Sequence, residues 1–524
     1  MKYKILLIII LFLALFLRLY KINIIPPGLS NDEISIAYEA YSLINTGRDS
    51  TGVFFPLSFK SHNDYKAPLY FYVVAPVIKI LGNNEIAVRL PSVIFGTLTV
   101  LGIYLLIKKI SSNPNWAILS AFLLAITPWH IYTSRIALES NLALFLVVFG
   151  VVMFLEGIEN RKYLMFSSIF FALSLYAYHT QKVFTPLLLV VLTVLYFKKI
   201  KLKDLITAWT IFMAAIFPLI INIIFFKGGT RAENVFFLND FLLANNLAGV
   251  SNIFFKAFII FSFWFEKLQR YLSFDYIFGN GLPISAPYGS SSFGLLNILE
   301  FPLFLVGTYH LISQKNKLLI GVIFGWFFIG PFAPSIALGQ LDLIKNLISL
   351  IPWTIISAYG LVYIWEETKN RFVFIVCLLL LTINSAFFYR YYIKYFPIYY
   401  SQNWSYGFKQ IAEYAKENEN SFQKIVIDWK YGVQEDLYGA PSLFVLYFNG
   451  IDPMEYLNKS RNDDFLSFNK YEFRNIDWPK EIIQPETLYV VGVRSAPVEG
   501  QKVNEVYSIN LLDGKKAFKF YKSF

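Results

Sequence analysis

Long apolar stretches recur along the whole chain, and no other feature of the sequence constrains the fold as strongly. A helix needs about 20 apolar residues to cross the ~30 Å hydrocarbon core of a bilayer, and about eleven segments bounded by Pro, Gly or charged residues meet that need. Only 15% of the 524 residues are charged and the mean hydropathy is +0.51, whereas about 25% of residues are charged in a soluble domain. The sequence therefore predicts a polytopic α-helical membrane protein. The predicted spans lie near residues 5–25, 87–107, 115–133, 137–157, 163–178, 183–197, 205–225, 293–313, 318–334, 343–365 and 372–390.

The net charge of +11 does not indicate a nucleic-acid partner, because the basic residues form short clusters between spans instead of one patch. With eleven spans these clusters, including Lys108 with Lys109 and Lys198 with Lys199, all fall on one side of the membrane. The positive-inside rule makes that side cytoplasmic. The single cysteine, Cys377, excludes an internal disulfide.

Three regions lie outside the predicted spans: a first extracytoplasmic loop at 26–86, a second at 226–292, and a tail at 391–524. In the tail, "GFKQIAEYAKENEN" has a helical pattern, whereas "KIVIDW" and "TLYVVGV" are typical of short buried strands. We expect a transmembrane domain over residues 1–390 and a small extracytoplasmic α/β domain over 391–524. The first span has no small-residue cleavage site, so it is expected to stay as an anchor.

The stretch "PPGLSNDEISIAYEAYSLINTG" follows the first span. Ser30-x-x-Glu33 has the pattern of a capping box, and Gly47 can close the helix that it starts. The helix is amphipathic and is expected to lie on the outer membrane face. A purely structural explanation of the two acids is available: Glu33 caps, and Asp32 gains ~0.3–1 kcal/mol from the helix dipole.

The same loop continues with "SHNDYKAPLYFYVVAPVIKILG". Pro68 suits the first turn of a helix, and the apolar run 69–81 is too short to span, so an interfacial or re-entrant helix is expected. Lys66 precedes this helix, and Arg89 lies at the mouth of the second span. Snorkelling and interfacial anchoring are the structural alternatives for these two cations.

Further polar residues collect on the same outer side. "TPWHIYTSRIALESN" supplies Arg135 and Glu139, which are four residues apart and suited to pairing on a helix. "YAYHTQKVFTPLL" supplies His179 and Lys182. His130 and His179, taken singly, have the simpler explanation of packing residues.

Carboxylates and cations at the outer mouth of one helical bundle suit transfer of a sugar from a lipid phosphate. A carboxylate is needed to deprotonate the acceptor hydroxyl, a role for Asp32. Cations are needed to stabilise the phosphate leaving group, a role for Lys66, Arg89 and Arg135. Grooves between apolar helices can hold the lipid tail. This set of residues fits the reaction but does not by itself identify it.

Four segments together resemble the membrane glycosyltransferases of GT-C fold, in particular the group of protein O-mannosyltransferases and lipid A aminoarabinose transferases. They are "GLSNDEISIAYEAYSLINTG", "YKAPLYFYVVAPVIKILGNNEIAVRLPSVIFG", "TPWHIYTSRIALESN" and "YAYHTQKVFTPLL". The resemblance covers most of residues 20–200 and continues more weakly to about 400. It implies a polyprenyl- or dolichyl-phosphate sugar donor and an acceptor hydroxyl on protein, lipid or cell-envelope glycan. It also implies reaction on the non-cytoplasmic side with inversion at the anomeric carbon.

The resemblance assigns roles by position. Asp32 matches the catalytic acid with Glu33 as its partner, Lys66 matches a lysine that meets the donor phosphate, and Arg89 matches the arginine that opens the second span. Lys345 is the candidate for a late basic position.

No cofactor is required by this expectation, and a divalent metal is in doubt. Tyr65 stands where the aminoarabinose transferases have a metal-binding acid, which leaves His62 and Asp64 as the nearest candidate ligands.

Two other functional classes compete with this one. A transporter or flippase of a lipid-linked sugar would place carboxylates near the membrane midplane, on broken helices in two matching halves. In this chain the acids lie in an outer loop, and the sequence has no matching halves. A structural anchor for a binding tail would need one span, not about eleven.

Overall fold

The computed structural model describes residues 1–61, 64–226, 236–279, 293–339, 341–433, 437–457 and 465–524, without the side chains of Ser61 and Asp64. His62 and parts of the predicted loop 226–292 lie outside the described residues. The described residues form two compact units. The first comprises 1–20, 57–70 and 92–389, and the second comprises 21–56, 71–91 and 390–524.

Helices make up most of the described chain. In chain order they are α1 Lys2–Leu19, α2 Asn31–Thr46, α3 Leu69–Leu81, α4 Glu85–Ser111, α5 Pro114–Ile126, α6 Pro128–Thr133, α7 Glu139–Gly157, α8 Arg161–Ala177, α9 Gln181–Tyr196, α10 Leu202–Phe225, α11 Phe241–Leu247, α12 Ile253–Tyr271, α13 Phe274–Ile277, α14 Glu300–Ile312, α15 Lys317–Ile329, α16 Phe332–Ser335, α17 Leu343–Asn346, α18 Leu350–Glu366, α19 Arg371–Lys394, α20 Phe396–Tyr400, α21 Phe408–Glu417, α22 Pro441–Phe448 and α23 Pro453–Leu457.

The strands are β1 Phe59–Ser61, β2 Asp64–Lys66, β3 Lys424–Ile427, β4 Lys430–Tyr431, β5 Leu437–Tyr438, β6 Phe465–Phe468, β7 Tyr471–Arg474, β8 Thr487–Gly492, β9 Val503–Asn510 and β10 Lys516–Ser523.

Six helical segments of the described chain are long and apolar enough to cross a membrane, which makes this a multi-pass membrane protein. They are Glu85–Ser111, Glu139–Gly157, Leu202–Phe225, Lys317–Ser335, Leu343–Glu366 and Arg371–Lys394. The predicted count of eleven stays a prediction, and three of the other predicted spans differ from the helices of the structure. The helix α1 ends at Leu19, before the predicted end near residue 25, and it carries Lys2, Lys4 and Arg18. The predicted span 115–133 is divided at Thr127-Pro128 into α5 and α6, because Pro cannot continue the hydrogen-bonding pattern of α5.

The third difference is the predicted span 293–313, in which the helix covers only 300–312. A further helix, α12, lies inside the region predicted to be the second outer loop.

In the first unit, helices approach each other closely at glycines. Gly307 of α14 and Gly360 of α18 face each other's helix so closely that an added Cβ at either position would collide with a backbone carbonyl, that of Ile356 or Leu303. Small residues at helix contacts allow this approach in membrane bundles.

The C-terminal part of the second unit contains a six-stranded sheet of order β6-β7-β3-β8-β10-β9, in which β3 pairs in parallel with β7 and β8. The predicted tail helix is α21, and the two predicted strands are β3 and β8, so the expected α/β composition of the tail is confirmed. Val426, Tyr489 and Val491 pack with Trp478 and Tyr521 in the core of this sheet.

Candidate functional site

The start of α2 is fixed by the predicted capping box. Ser30 Oγ accepts a hydrogen bond from the Glu33 amide at 3.2 Å, and Glu33 Oε2 accepts one from the Ser30 amide at 3.1 Å. Gly47 ends the helix with a φ of +71°, a left-handed conformation that glycine adopts readily. Glu33 is buried, whereas the adjacent Asp32 is half-buried in the same first turn.

Glu33 forms a buried ion pair with Arg89. The Arg89 Nε lies 2.8 Å from Glu33 Oε1 and its Nη2 lies 2.9 Å from Oε2, and both side chains are 0% exposed. Arg89 also donates to the carbonyl oxygens of Ile22 and Pro26, each at 3.0 Å, and to that of Gly28. All five N–H groups of the guanidinium therefore have acceptors within the second unit.

These contacts favour a positioning role for Glu33 and Arg89 over the catalytic and phosphate-binding roles expected from the sequence. Arg89 joins the chain before α2 to the first turn of α2. Glu33 strengthens this connection, because its carboxylate binds both Arg89 and the Ser30 amide. A buried charge pair is stable only when its geometry and remaining hydrogen bonds are good, and here both conditions are met. The pair thus holds the backbone that carries Asp32.

Arg135 has a similar structural arrangement in the first unit. It is fully buried, and it donates from Nη1 to the carbonyls of Leu17 and Arg18, both at 3.0 Å, and from Nη2 to that of Tyr20 at 2.8 Å. These carbonyls end α1, so Arg135 caps the C-terminus of that helix. Phosphate binding by Arg135 would compete with this cap.

Arg18 is the neighbouring arginine, near the end of α1. It is completely buried, with Nη2 donating to His130 Nδ1 at 2.7 Å and Nη1 donating to the Ala125 carbonyl at 3.1 Å. His130 is therefore a packed histidine with a polar partner, as its structural interpretation predicted.

The remaining predicted site residues also lie in the first unit. Lys66 ends β2 opposite Phe59 and is 6% exposed. Glu139 is the first residue of α7 and is buried. His179 and Lys182 lie together at the start of α9, both half-buried, with 3.2 Å between Lys182 Nζ and His179 Nδ1. The site residues therefore fall into two sets, with Asp32, Glu33 and Arg89 in the second unit.

A cavity of about 560 Å³ lined by charged side chains was not predicted from the sequence. Lys267 and Arg270 of α12 line this cavity with Asp240 and Glu266. Lys267 donates to the Ala337 carbonyl, and burial together with the nearby positive charge of Lys345 lowers its pKa to about 8. The amphipathic pattern of "FFKAFIIFSFWFEKLQRY" was the available signal for α12.

Metal binding is not tested by the described side chains. No group of three or more His, Cys, Asp or Glu residues that could hold a metal ion occurs among them. Both candidate ligands, His62 and the Asp64 carboxylate, lie outside the described part of the chain.

Comparison with known proteins identifies the fold. Residues 65–223 match the family model of dolichyl-phosphate-mannose-protein mannosyltransferase. This stretch includes Lys66, Arg89, Arg135, Glu139, His179 and Lys182, whereas Asp32 lies before it. No curated protein sequence matches the chain.

Two solved structures show the extent of the similarity. ArnT from Cupriavidus metallidurans bound to undecaprenyl phosphate gives a TM-score of 0.56 at 11% identity, over 99% of this chain and 97% of that one. The Archaeoglobus fulgidus oligosaccharyltransferase tethered with an acceptor peptide gives 0.51 at 13% identity, over 86% of this chain and 63% of the other. In another structure of that oligosaccharyltransferase, in complex with zinc and sulfate, the present chain spans 60% of the length of the oligosaccharyltransferase chain. The chain therefore has the GT-C fold of membrane glycosyltransferases.

Proposed function

We propose that the protein is a membrane glycosyltransferase that moves a sugar from a polyprenyl- or dolichyl-phosphate donor to an acceptor hydroxyl on the extracytoplasmic face. The observation that carries this proposal is the start of α2. There the buried Glu33–Arg89 pair fixes the backbone while the adjacent Asp32 carboxylate stays half-buried. The GT-C fold supports the same conclusion and favours it over a transporter or flippase.

In this mechanism Asp32 takes the proton of the acceptor hydroxyl as its oxygen attacks the anomeric carbon. The bond between that carbon and the phosphate oxygen breaks, and the lipid phosphate leaves with the bonding electrons. A single displacement of this kind inverts the anomeric configuration. A positioned base typically contributes about 10²–10⁴-fold to the rate.

Cations predicted from the sequence are proposed to meet the donor phosphate. Lys66 is the lysine that the sequence assigns to this role, and Lys182 lies with Glu139 and His179 among the further polar residues of the same predicted outer side. Lys267 and Arg270 of the α12 cavity, which Asp240 and Glu266 also line, are further candidates. Fixed cations are effective here because charge develops on the phosphate oxygens in the transition state.

An apolar groove is available for a lipid chain. Residues of α9 and α10, among them Thr193, Trp209, Met213 and Phe217, line a groove of about 820 Å³ in the first unit. Its walls are almost entirely hydrocarbon and aromatic, as binding of a polyprenyl tail requires.

Substitution Asp32→Asn tests the proposal. It keeps the shape of the side chain and removes the base, so we expect kcat to fall by about 10²-fold or more. The purified protein would be reconstituted in liposomes with radiolabelled polyprenyl-phosphate sugars and a host membrane extract as the source of acceptor. Transfer of label and release of polyprenyl phosphate would be measured.

The matched control for this experiment is Glu455→Gln. Glu455 is exposed in the first turn of α23, so its substitution removes a comparable charge at a helix N-terminus without touching the proposed site. We expect turnover within about twofold of wild type, since surface changes of this kind have small effects. Normal turnover by Asp32→Asn would refute the assignment of the base.

A further inference from the structure

The six-stranded sheet of the tail has a crevice at one edge. Because β3 is parallel to both β7 and β8, the carboxyl ends of these three strands meet at the same edge. After β3 the chain returns to the sheet on the β7 side, and after β8 it continues to β9 and β10 on the opposite side. Open α/β sheets bind ligands where the connections diverge in this way, outside the carboxyl ends of the strands.

A cavity of about 230 Å³ lies at this point, and we name it the carboxyl-edge crevice. It is lined by residues that directly follow the three strands: Asp428 after β3, Ile476 after β7, and Arg494 and Ser495 after β8. Lys430 also lines it. The volume is below the ~300–1,000 Å³ of pockets that hold drug-sized molecules, so a single small polar unit fits.

Asp428 is held rigidly at the base of the crevice. It is 3% exposed, and its carboxylate accepts hydrogen bonds from the Lys430 amide at 2.9 Å and the Ile476 amide at 3.3 Å. Burial raises its pKa to about 6, although the amides and the charges of Lys430 and Arg474 oppose this rise. The two carboxylate oxygens have further lone pairs that can accept hydrogen bonds from hydroxyl groups.

Hydrogen-bond donors line the crevice beside the Asp428 carboxylate. Ser495 Oγ accepts a hydrogen bond from Trp478 Nε1 at 2.8 Å, which leaves the serine hydroxyl able to donate its own proton. The side chains of Lys430 and Arg494 add two positive charges against the one negative charge of Asp428. A guanidinium recognises carboxylate or phosphate with two parallel hydrogen bonds.

We infer that the carboxyl-edge crevice binds a single acidic sugar residue, one that carries a carboxylate or a phosphate group. Arg494 and Lys430 bind the acidic group, and Asp428 and Ser495 bind neighbouring hydroxyls. The choice of a sugar over another anionic polyol rests on the proposed function, since a glycosyltransferase handles glycans. The tail would then hold an acidic glycan as acceptor or product.

The test is equilibrium binding to the full-length protein in nanodiscs, without donor. Glucuronate and glucose 6-phosphate represent the two acidic groups, and glucose and inorganic phosphate are the comparison ligands. At least one acidic sugar should bind saturably, and about tenfold more tightly than glucose or inorganic phosphate. Whichever of glucuronate and glucose 6-phosphate binds more tightly shows whether the crevice prefers a carboxylate or a phosphate group.

Variants link this binding to the crevice. Arg494→Gln and Lys430→Gln should each weaken it by about tenfold. Lys502→Gln is the matched control. Lys502 precedes β9, and the first residue of β9 pairs with Ser523 at the opposite edge of the sheet. The Lys502→Gln variant should bind the acidic sugar with wild-type affinity. The inference is overturned by absence of saturation at about 10 mM sugar, by equally tight binding of inorganic phosphate, or by wild-type affinity in both crevice variants.

The outcome of this binding experiment and the outcome of the transferase proposal can be told apart. Asp32→Asn should bind the acidic sugar as wild type does, because binding needs no turnover. Acidic-sugar binding without transfer from any lipid-phosphate sugar would refute the transferase and keep the crevice. Normal transfer without acidic-sugar binding would refute the crevice alone.

Discussion

Two adjacent acids at the start of α2 are placed in different surroundings. Glu33 is buried against Arg89, and Asp32 is only half-buried. Removing one partner of a buried pair leaves an uncompensated charge, which costs about 3–5 kcal/mol. Variants at the two positions can therefore separate the proposed chemical role of Asp32 from the structural role of Glu33.

Glu33→Gln should lower both stability and activity. We expect a destabilisation of about 3–5 kcal/mol, because Arg89 would lose its charged partner in a buried site. Thermal unfolding in detergent would measure it, with Asp32→Asn as the comparison that loses turnover at nearly constant Tm.

A double-mutant cycle with Arg89→Met shows whether the effect comes from this pair. The double variant should lose less stability than the sum of the two single variants. Additive losses would contradict the pairing, and wild-type Tm in Glu33→Gln would contradict the structural role.

Lys267 provides a prediction on pH. Its pKa is lowered from 10.5 to about 8, mainly by burial, so it loses its proton as the pH rises through 8. If its charge binds the donor phosphate, affinity for polyprenyl phosphate should fall about tenfold between pH 7 and 9. Lys267→Arg should remove this dependence, since arginine stays protonated.

As the pH rises, the stability of the folded protein should increase, whereas the affinity for polyprenyl phosphate falls. Between pH 8 and 10.5 the unfolded chain keeps the lysine proton that the folded protein has lost, so the contribution of Lys267 to stability increases with pH. Lys256→Arg on the same helix is the control and should keep the wild-type pH profile of binding. An unchanged profile in Lys267→Arg would exclude Lys267 from donor binding.

At the scale of elements, patterns that depend on near neighbours were predictable. The capping box of α2, the short helix over 69–81 and the strands β3 and β8 follow from residues within a few positions of each other. The partner of Glu33 did not follow, because Arg89 lies 56 residues away. Hydropathy also concealed the break at Thr127-Pro128, since both flanking helices are apolar.

The glycine contact between α14 and α18 gives a prediction of its own. Gly360→Ala should destabilise the protein by about 1–3 kcal/mol, because the added methyl group meets the Leu303 backbone, which cannot turn aside. In the control, Gly325→Ala, the methyl group meets Val191 Cγ1 at 2.9 Å, and that side chain can rotate. Unfolding in detergent should show a lower Tm for Gly360→Ala only; equal changes in the two variants would contradict the tight helix crossing.

At the scale of the whole molecule, orientation was argued from the basic clusters and stays a prediction. Single cysteines in a Cys377→Ser background test it with a membrane-impermeant maleimide on intact cells. Val53→Cys lies in the first predicted outer loop and Ser112→Cys follows the basic pair Lys108 and Lys109; both side chains are exposed. We expect labelling at 53 and protection at 112 until the membrane is permeabilised. The reverse pattern would place the proposed site in the cytoplasm.

The second unit is assembled from residues 21–56, 71–91 and 390–524, and this has a consequence for biosynthesis. The ribosome makes residues 21–56 and 71–91 before the helices of the first unit that follow them, and residues 390–524 only afterwards, so the α2 region must wait for its partner segments until about 300 further residues have been translated. A nascent chain arrested before residue 390 would have its early membrane helices inserted while the surroundings of Asp32 were still incomplete. Completion of the second unit is thereby timed to the translation of residues 390–524.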